Sequence, residues 1–473
     1  MLQKIKNNYN SMSLVAKASI WFVLVTVIDQ SISLLTQPLL NRILSVEEVG
    51  VYGVYNTWHS LLSVVATLNM FGGVLEVQIT KNKKSTKQIV GSLLALSTLS
   101  WIIIFGIGFV FVAQFSSLLS LKPIYLCLMS VSILSNAVIQ FWSVPKRFEY
   151  DYRTYAYLVV GLFLTKSLMS VFLAYFLSAD RVMGRIVGMT FPSCVVAIVL
   201  VIKIYSHFHT KDITKYWKVG LKFNLPLIPH YLSSILLASS DKVMIQHLAD
   251  DACAGLYTVA YAFSGLALTV FSALNSAYSP FAYKAIYEKK YDSLKERTNS
   301  LILVCVLVAI ILILFAPEGL LILGGSEYAS TLNIVPILVV GIFFSSFYFL
   351  FSNVEFVYEK TQYIFPVTVI GASVNILLNF LLIPEYGYKV AAATTLIGYT
   401  IITFLHFVIS KHMVEERLYD YKTILIYVIL LVSVAIVSTF LYSICSIYRY
   451  IMIAIASVVL VAIIYKKDLL TKL

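Results

Sequence analysis

The chain has 473 residues, of which 60% are hydrophobic and only 12% charged, with a net charge of +12 and a mean hydropathy of +0.88. Soluble domains carry about 25% charged residues, so the composition excludes an ordinary soluble enzyme. The apolar residues come in long runs, not in short alternating segments, which excludes a transmembrane β-barrel and predicts an all-α polytopic membrane protein.

The first apolar run, 16–37, follows Lys4, Lys6 and Lys17. It is too long for a cleaved signal peptide and shows no small-residue cleavage site, so it is expected to be a retained span. A hydrocarbon core needs about 20 apolar residues per helix. Further spans of that kind are predicted over 50–69, 87–112, 122–144, 154–177, 184–204, 221–246, 254–276, 298–317, 330–352, 362–382, 388–410, 422–443 and 447–465, about fourteen in all. The first, second and seventh are the most polar.

Lysine and arginine fall mostly on alternate connections: Lys4 to Lys17, Lys81 to Lys87, Lys146 to Arg153, Lys203 to Lys222, Lys284 to Arg297, Lys411 to Lys422 and Lys466 to Lys472. That bias predicts both termini on the cytoplasmic side. It accounts for the positive charge by an anionic leaflet and requires no nucleic-acid partner. The connections are short, with no GxxxxGK[ST] motif and no large outer loop. ATP hydrolysis, or glycosyl transfer by an outer domain, is therefore not expected. Cys127, Cys194, Cys253, Cys305 and Cys445 are scattered without a CxxC. They predict neither a disulfide framework nor a metal site, and no cofactor is expected.

The chain also carries a candidate internal repeat. Span 1 runs through Asp29 into "LLNRILSVEEVGVYGVY" at 39–55, and span 7 runs through Asp241 into "IQHLADDACAGLYTVAY" at 245–261. Each is a polar-spotted helix, an acidic loop and a Gly-x-Tyr (Gly50–Tyr52, Gly255–Tyr257). Duplication predicts two six-helix lobes, 1–210 and 211–412, with 413–473 outside the repeat. Parallel repeats of this kind place a site between lobes near the midplane.

A charge at a span centre costs about 2.5–3.5 kcal/mol on insertion scales, so it faces a partner or a cavity. Thr26, Asp29, Ser33 and Thr36 share one face of span 1. Lys166 lies near the centre of span 5, with Ser170 one turn on. His230, Ser234 and Asp241 form a stripe on span 7, and Lys242 points about 100° away from Asp241. Asn136 and Gln140, and Asn375 and Asn379, are pairs at i, i+4; His59 sits in span 2. Asp29 and Lys166 are either one ion pair or two functional groups. The histidines are neutral hydrogen-bonded residues or proton carriers, and the asparagines interhelical glue or ligand contacts. Pro226 and Pro229 predict a bend in span 7, because Pro229 removes the hydrogen bond to the Leu225 carbonyl.

The segment "LKFNLPLIPHYLSSILLASSDKVMIQHLADDACAGLYTVAYAF", 221–263, resembles bacterial polysaccharide flippases of the Wzx type. These belong to the superfamily of MATE exporters and lipid II flippases. Gln37–Pro38, Asn41–Arg42 and Gly50–Tyr52 carry the same likeness, which extends over essentially the whole chain. The resemblance implies two lobes in a pseudo-two-fold V, with the last two helices flanking a lipid-tail groove. It implies translocation of undecaprenyl-diphosphate-linked oligosaccharide by alternating access, for O-antigen or capsule synthesis in the cytoplasmic membrane, and pathway polymerase and chain-length proteins as partners. Lys166, Lys242 and Arg42 are then expected to meet the diphosphate, with His230, Ser234, Asn375 and Asn379 also lining the substrate site. Asp29 and Asp241 would couple to a proton or monovalent cation, with Pro226 and Pro229 at the hinge. A MATE-like cation-coupled antiporter is the alternative.

Overall fold

A computed structural model describes residues 12–466 apart from 207, 209–212, 359, 415 and 445. Lys4, Lys6, Lys472 and Cys445 lie outside the described residues. The chain divides into two compact units, Met1–Leu232 and Ser233–Leu473.

The first unit holds α1 (Leu14–Ile43), α2 (Val46–Thr67), α3 (Val74–Lys81), α4 (Thr86–Val110), α5 (Val112–Leu119), α6 (Pro123–Phe148), α7 (Tyr152–Phe176), α8 (Arg181–Tyr205) and α9 (Ile213–Asn224). Helix α10 (Ile228–Leu248) carries the chain into the second unit. There follow α11 (Asp251–Ser264), α12 (Leu266–Tyr287), α13 (Tyr291–Leu314), α14 (Ala316–Leu323), α15 (Val335–Val357), α16 (Ile364–Tyr386), α17 (Val390–Met413), α18 (Tyr421–Leu441) and α19 (Ser446–Lys466). Among the described residues, 12 helical segments are long and apolar enough to cross a membrane. Helices also occupy the second and seventh expected ranges, α2 and α10, where polar residues lower the hydropathy. The protein is thus an all-α, multi-pass membrane protein.

Short polar residues start the helices. Ser45 forms a capping box with Glu48 at α2, its hydroxyl accepting from the Glu48 N–H at 3.3 Å and Glu48 accepting from the Ser45 N–H at 2.8 Å. Asp151, Asp180, Asp250 and Asp420 cap α7, α8, α11 and α18 through backbone N–H groups that would otherwise lack partners.

In the first unit α7 and α8 pack against each other and α1 packs on α7. Gly184 and Gly188 allow the close approach: a Cβ on either would come within 2.4 Å of the α7 backbone, at Leu173 or Ser170. Small residues spaced by four let membrane helices approach backbone to backbone. In the second unit α15 packs on α17, α16 on α17, and both α18 and α19 on α13. The last two helices therefore belong to the second unit's packing.

The two prolines before α10 take a form that spares the helix. Leu225–Leu227 is a 3-10 turn, and the Ile228 N–H bonds the Leu225 carbonyl that Pro229 cannot serve. Pro229 is the second residue of α10, where a missing N–H costs no intrahelical bond. The interruption expected at Pro226–Pro229 is a change of helix type at the start of α10, not a kink within it.

Candidate functional site

A polar chain crosses four helices of the first unit. Lys166 on α7 is half-buried and its Nζ donates to Asn136 Oδ1 on α6 at 3.2 Å. Asn136 Nδ2 donates to Ser132 Oγ at 3.4 Å, and Ser132 Oγ lies 3.1 Å from His59 Nε2 on α2. Asp29 on α1 lies within electrostatic reach of Lys166 without a hydrogen bond to it. The structure thus brings together Asp29, His59, Asn136 and Lys166. Gln140, one turn beyond Asn136, is exposed and outside the chain of bonds. Ser170 is buried and donates to the Arg185 carbonyl at 3.4 Å.

A second group in this unit centres on Arg185, in the first turns of α8. It is 4% exposed, its guanidinium carbon lies 3.5 Å from the Tyr52 ring centroid, and Nη2 donates to Gln37 Oε1 at 3.0 Å. Gln37 Nε2 donates in turn to Asn41 Oδ1 at 3.1 Å. A guanidinium stacked on an aromatic face is a cation held in a fixed plane. Arg42, next to Asn41, is exposed.

The second unit contains an acidic counterpart. Asp241 on α10 is 1% exposed. Its Oδ2 accepts from Tyr257 OH at 2.6 Å and from Thr395 Oγ1 at 2.5 Å, and its Oδ1 accepts from Asn379 Nδ2 at 2.6 Å. Thr394 donates to Asn379 Oδ1, Asn375 Nδ2 donates to Thr394 Oγ1 at 3.4 Å, and Ser240 Oγ donates to Asn375 Oδ1 at 3.5 Å. Asn375 and Asn379 are both fully buried. Three donors thus satisfy the Asp241 carboxylate inside a dry interior, where an unpaired one would be costly. Among the described residues no cluster of three His, Cys, Asp or Glu side chains forms a metal site.

The stripe expected on α10 splits. Ser234 is exposed, His230 is half-buried with its ring 6.0 Å from that of Tyr231, and Asp241 is enclosed by its donors. The helical phase puts the three on one side of α10, but α11, α16 and α17 supply the groups that cover Asp241. The Lys242 Nζ lies 5.2 Å from the Tyr261 ring centroid, within electrostatic reach of Asp241. Pro226 and Pro229 are exposed.

Sequence reasoning missed Arg185, which reads as a loop cation because its helix starts four residues earlier. It also missed Glu355 and His406, whose side chains are fully buried with Nδ1 and Oε1 2.6 Å apart. Both sit at or near the ends of apolar runs, and their pairing across 51 positions leaves no local trace.

The fold is similar to those of a solved lipid II flippase and a solved MATE family transporter of the MOP superfamily. The structure resembles "Lipid II flippase MurJ, inward closed conformation" at a TM-score of 0.71 and 14% identity, over 95% of this chain and 99% of that one. It resembles an inward-facing multidrug resistance MATE family transporter at 0.61 and 14%, over 82% and 97%. The family model described as "Polysaccharide biosynthesis protein" matches residues 15–285, and the chain belongs to that family. The MatE model matches residues 226–381. In sequence the chain is 24% identical over 412 residues to "Lsg locus putative protein 1" of Haemophilus influenzae, covering 84% of this chain and 98% of that protein. The family is the one whose motifs segment 221–263 carries.

Proposed function

We propose that the protein translocates undecaprenyl-diphosphate-linked oligosaccharide repeat units from the inner to the outer leaflet of the bacterial cytoplasmic membrane. Alternating access moves the substrate, both termini face the cytoplasm, and the product feeds O-antigen or capsule synthesis. The observation that carries this reading is Lys166. It is a half-buried ammonium in the middle of a membrane helix, held by Asn136 and not consumed by a direct ion pair with Asp29. A diphosphate leaving water needs such a fixed cation, because charge-assisted hydrogen bonds gain strength as the dielectric falls. Arg185 adds a second. Arg42 and Lys242 meet the diphosphate at other stages, and His230, Ser234, Asn375 and Asn379 contribute to the sugar path or its support.

The drive comes from a cation that exchanges at the Asp241 cage, with Asp29 as a second acidic station. The Leu225–Leu227 turn, with Pro226 and Pro229, is the hinge. The cage and the MatE match also suit a cation-coupled antiporter of small molecules; the first unit's buried cations favour an anionic substrate instead.

Lys166→Ala should abolish surface glycan with the protein still in the membrane, and Lys166→Arg should retain part of it. Full export by Lys166→Ala would remove Lys166 from the site. If Asp29→Asn with Lys166→Met restores both folding and export lost in the single variants, the two residues are only a structural pair.

A further inference from the structure

We propose that Glu355 and His406 form a proton-binding site in the second unit, distinct from the Asp241 cage, and that its proton exchanges when the transport cycle admits water to it. The coupling part rests on the transporter reading above; the proton site does not.

Glu355 lies two residues from the end of α15 and His406 lies in α17. Neither side chain is exposed, and His406 Nδ1 is 2.6 Å from Glu355 Oε1. Each residue keeps one buried polar atom without a hydrogen-bond partner, Oε2 of Glu355 and Nε2 of His406. A pair built only to hold two helices together has its remaining donors and acceptors satisfied, because orphaned polar atoms in a dry interior are costly. Here one acceptor and one ring nitrogen are left for a group that comes and goes.

Among the titratable groups around the pair, Tyr348 lies within electrostatic reach of Glu355. On α15 itself the Tyr348 ring stands 5.0 Å from the His406 ring. From α12, Tyr283 reaches Tyr348 electrostatically and Tyr278 is bonded to Thr298. From α13, the Arg297 guanidinium lies 3.9 Å from the Phe281 ring centroid. Tyr419, ahead of α18, donates to the Leu350 carbonyl at 2.9 Å. Where α16 meets α17, Gly371 faces Ile402. Among the described residues no Lys or Arg pairs with Glu355.

The pair has two charge states. With Nδ1 and Nε2 both protonated, imidazolium beside carboxylate is neutral overall. When the Nε2–H bond breaks and the proton joins a water as hydronium, the imidazole keeps its Nδ1–H toward Glu355 and the pair carries one negative charge. Changing net charge in a dry site costs far more than in a wet one. Proton exchange therefore requires water at Nε2, which ties the charge state to whether α15 and α17 are open or closed there. An imidazole between about pH 5 and 8 is the side chain suited to such a switch.

The test uses the purified full-length protein in lipid nanodiscs, followed by infrared difference spectroscopy across about pH 5 to 8. The expected result is a coupled carboxylate and imidazole change in the wild type that disappears in both Glu355→Gln and His406→Gln. A wild type without that change, or a change that persists in Glu355→Gln, overturns the proposal. Should the single variants fail to fold, the double variant Glu355→Met with His406→Phe removes both polar groups and leaves neither orphaned. Its glycan export should lose the wild-type response to a protonophore; an unchanged response means that the pair is structural. If the wild type supports no export at all while the infrared change is present, the transporter reading fails and the proton site stands.

Discussion

The two units use the same corner for opposite charges. In the first, Tyr52 of the Gly-x-Tyr helix faces Arg185 from the sixth long helix, α8, which bonds Gln37. In the second, Tyr257 of the Gly-x-Tyr helix faces Thr395 from α17, and both bond Asp241. A stacked guanidinium occupies one corner and a triply bonded carboxylate the other. The tyrosine is common to the two corners and the charge is not.

Removing the acid should have the largest effect. Asp241→Ala leaves the buried hydroxyls of Tyr257 and Thr395 and the Asn379 amide without their acceptor, a loss of about 3–5 kcal/mol. Thermal unfolding in detergent should show it, with Asp241→Asn recovering much of the stability and none of the export. Wild-type stability in Asp241→Ala would mean that the cage is not a structural unit. Arg185→Ala should cost less, about 2–3 kcal/mol, through the lost stack and the Gln37 bond. Arg185→Lys should regain charge but not the planar stack, so export in that variant separates the two contributions. Equal behaviour of the Lys and Ala variants would show that geometry, and not charge, is what the corner needs.

The smallest effect tests how α8 is held. Asp180 caps α8 and takes bonds from Lys122 and Tyr125, each at 2.6 Å, whereas Lys389 at the start of α17 makes no side-chain cap bond. Burial pushes the Asp180 carboxyl up, but Lys122, Tyr125 and the Met183 N–H together hold it below the usual carboxylate range. Its contribution is therefore complete above about pH 4 and fades as the pH falls through the lowered folded value. Asp180→Ala should cost about 1 kcal/mol at neutral pH and flatten the acid limb of the stability profile. An unchanged acid limb would show that the cap carries no pH dependence.

The helices were legible in the sequence because span length and apolarity are local properties. Asp241 was legible as an acid within a span that needs a partner, and the i, i+4 spacing of Asn375 and Asn379 put both on one face. Their meeting was not legible, since periodicity gives the phase of a helix but not the neighbour it faces. The same limit hid Arg185, Tyr257 and the Glu355–His406 pair. It also separates Asp29 from its supposed counterpart. Asp241 precedes Tyr257 by 16 positions, while Asp29 stands about two turns further from Tyr52, and Gln37 is the residue that occupies the corner.

The glycine seam between α7 and α8 has a mechanical consequence. With Gly184 and Gly188 facing the backbone of Leu173 and Ser170, the two helices meet at a distance that no side chain larger than glycine's hydrogen would allow. Lys166 rides on one and Arg185 on the other, and the Ser170 hydroxyl bonds the Arg185 carbonyl across the seam. The spacing of the two helix positions that carry these cations is therefore set by the seam. A side chain added at either glycine would push the seam apart and so change the spacing of the two cations.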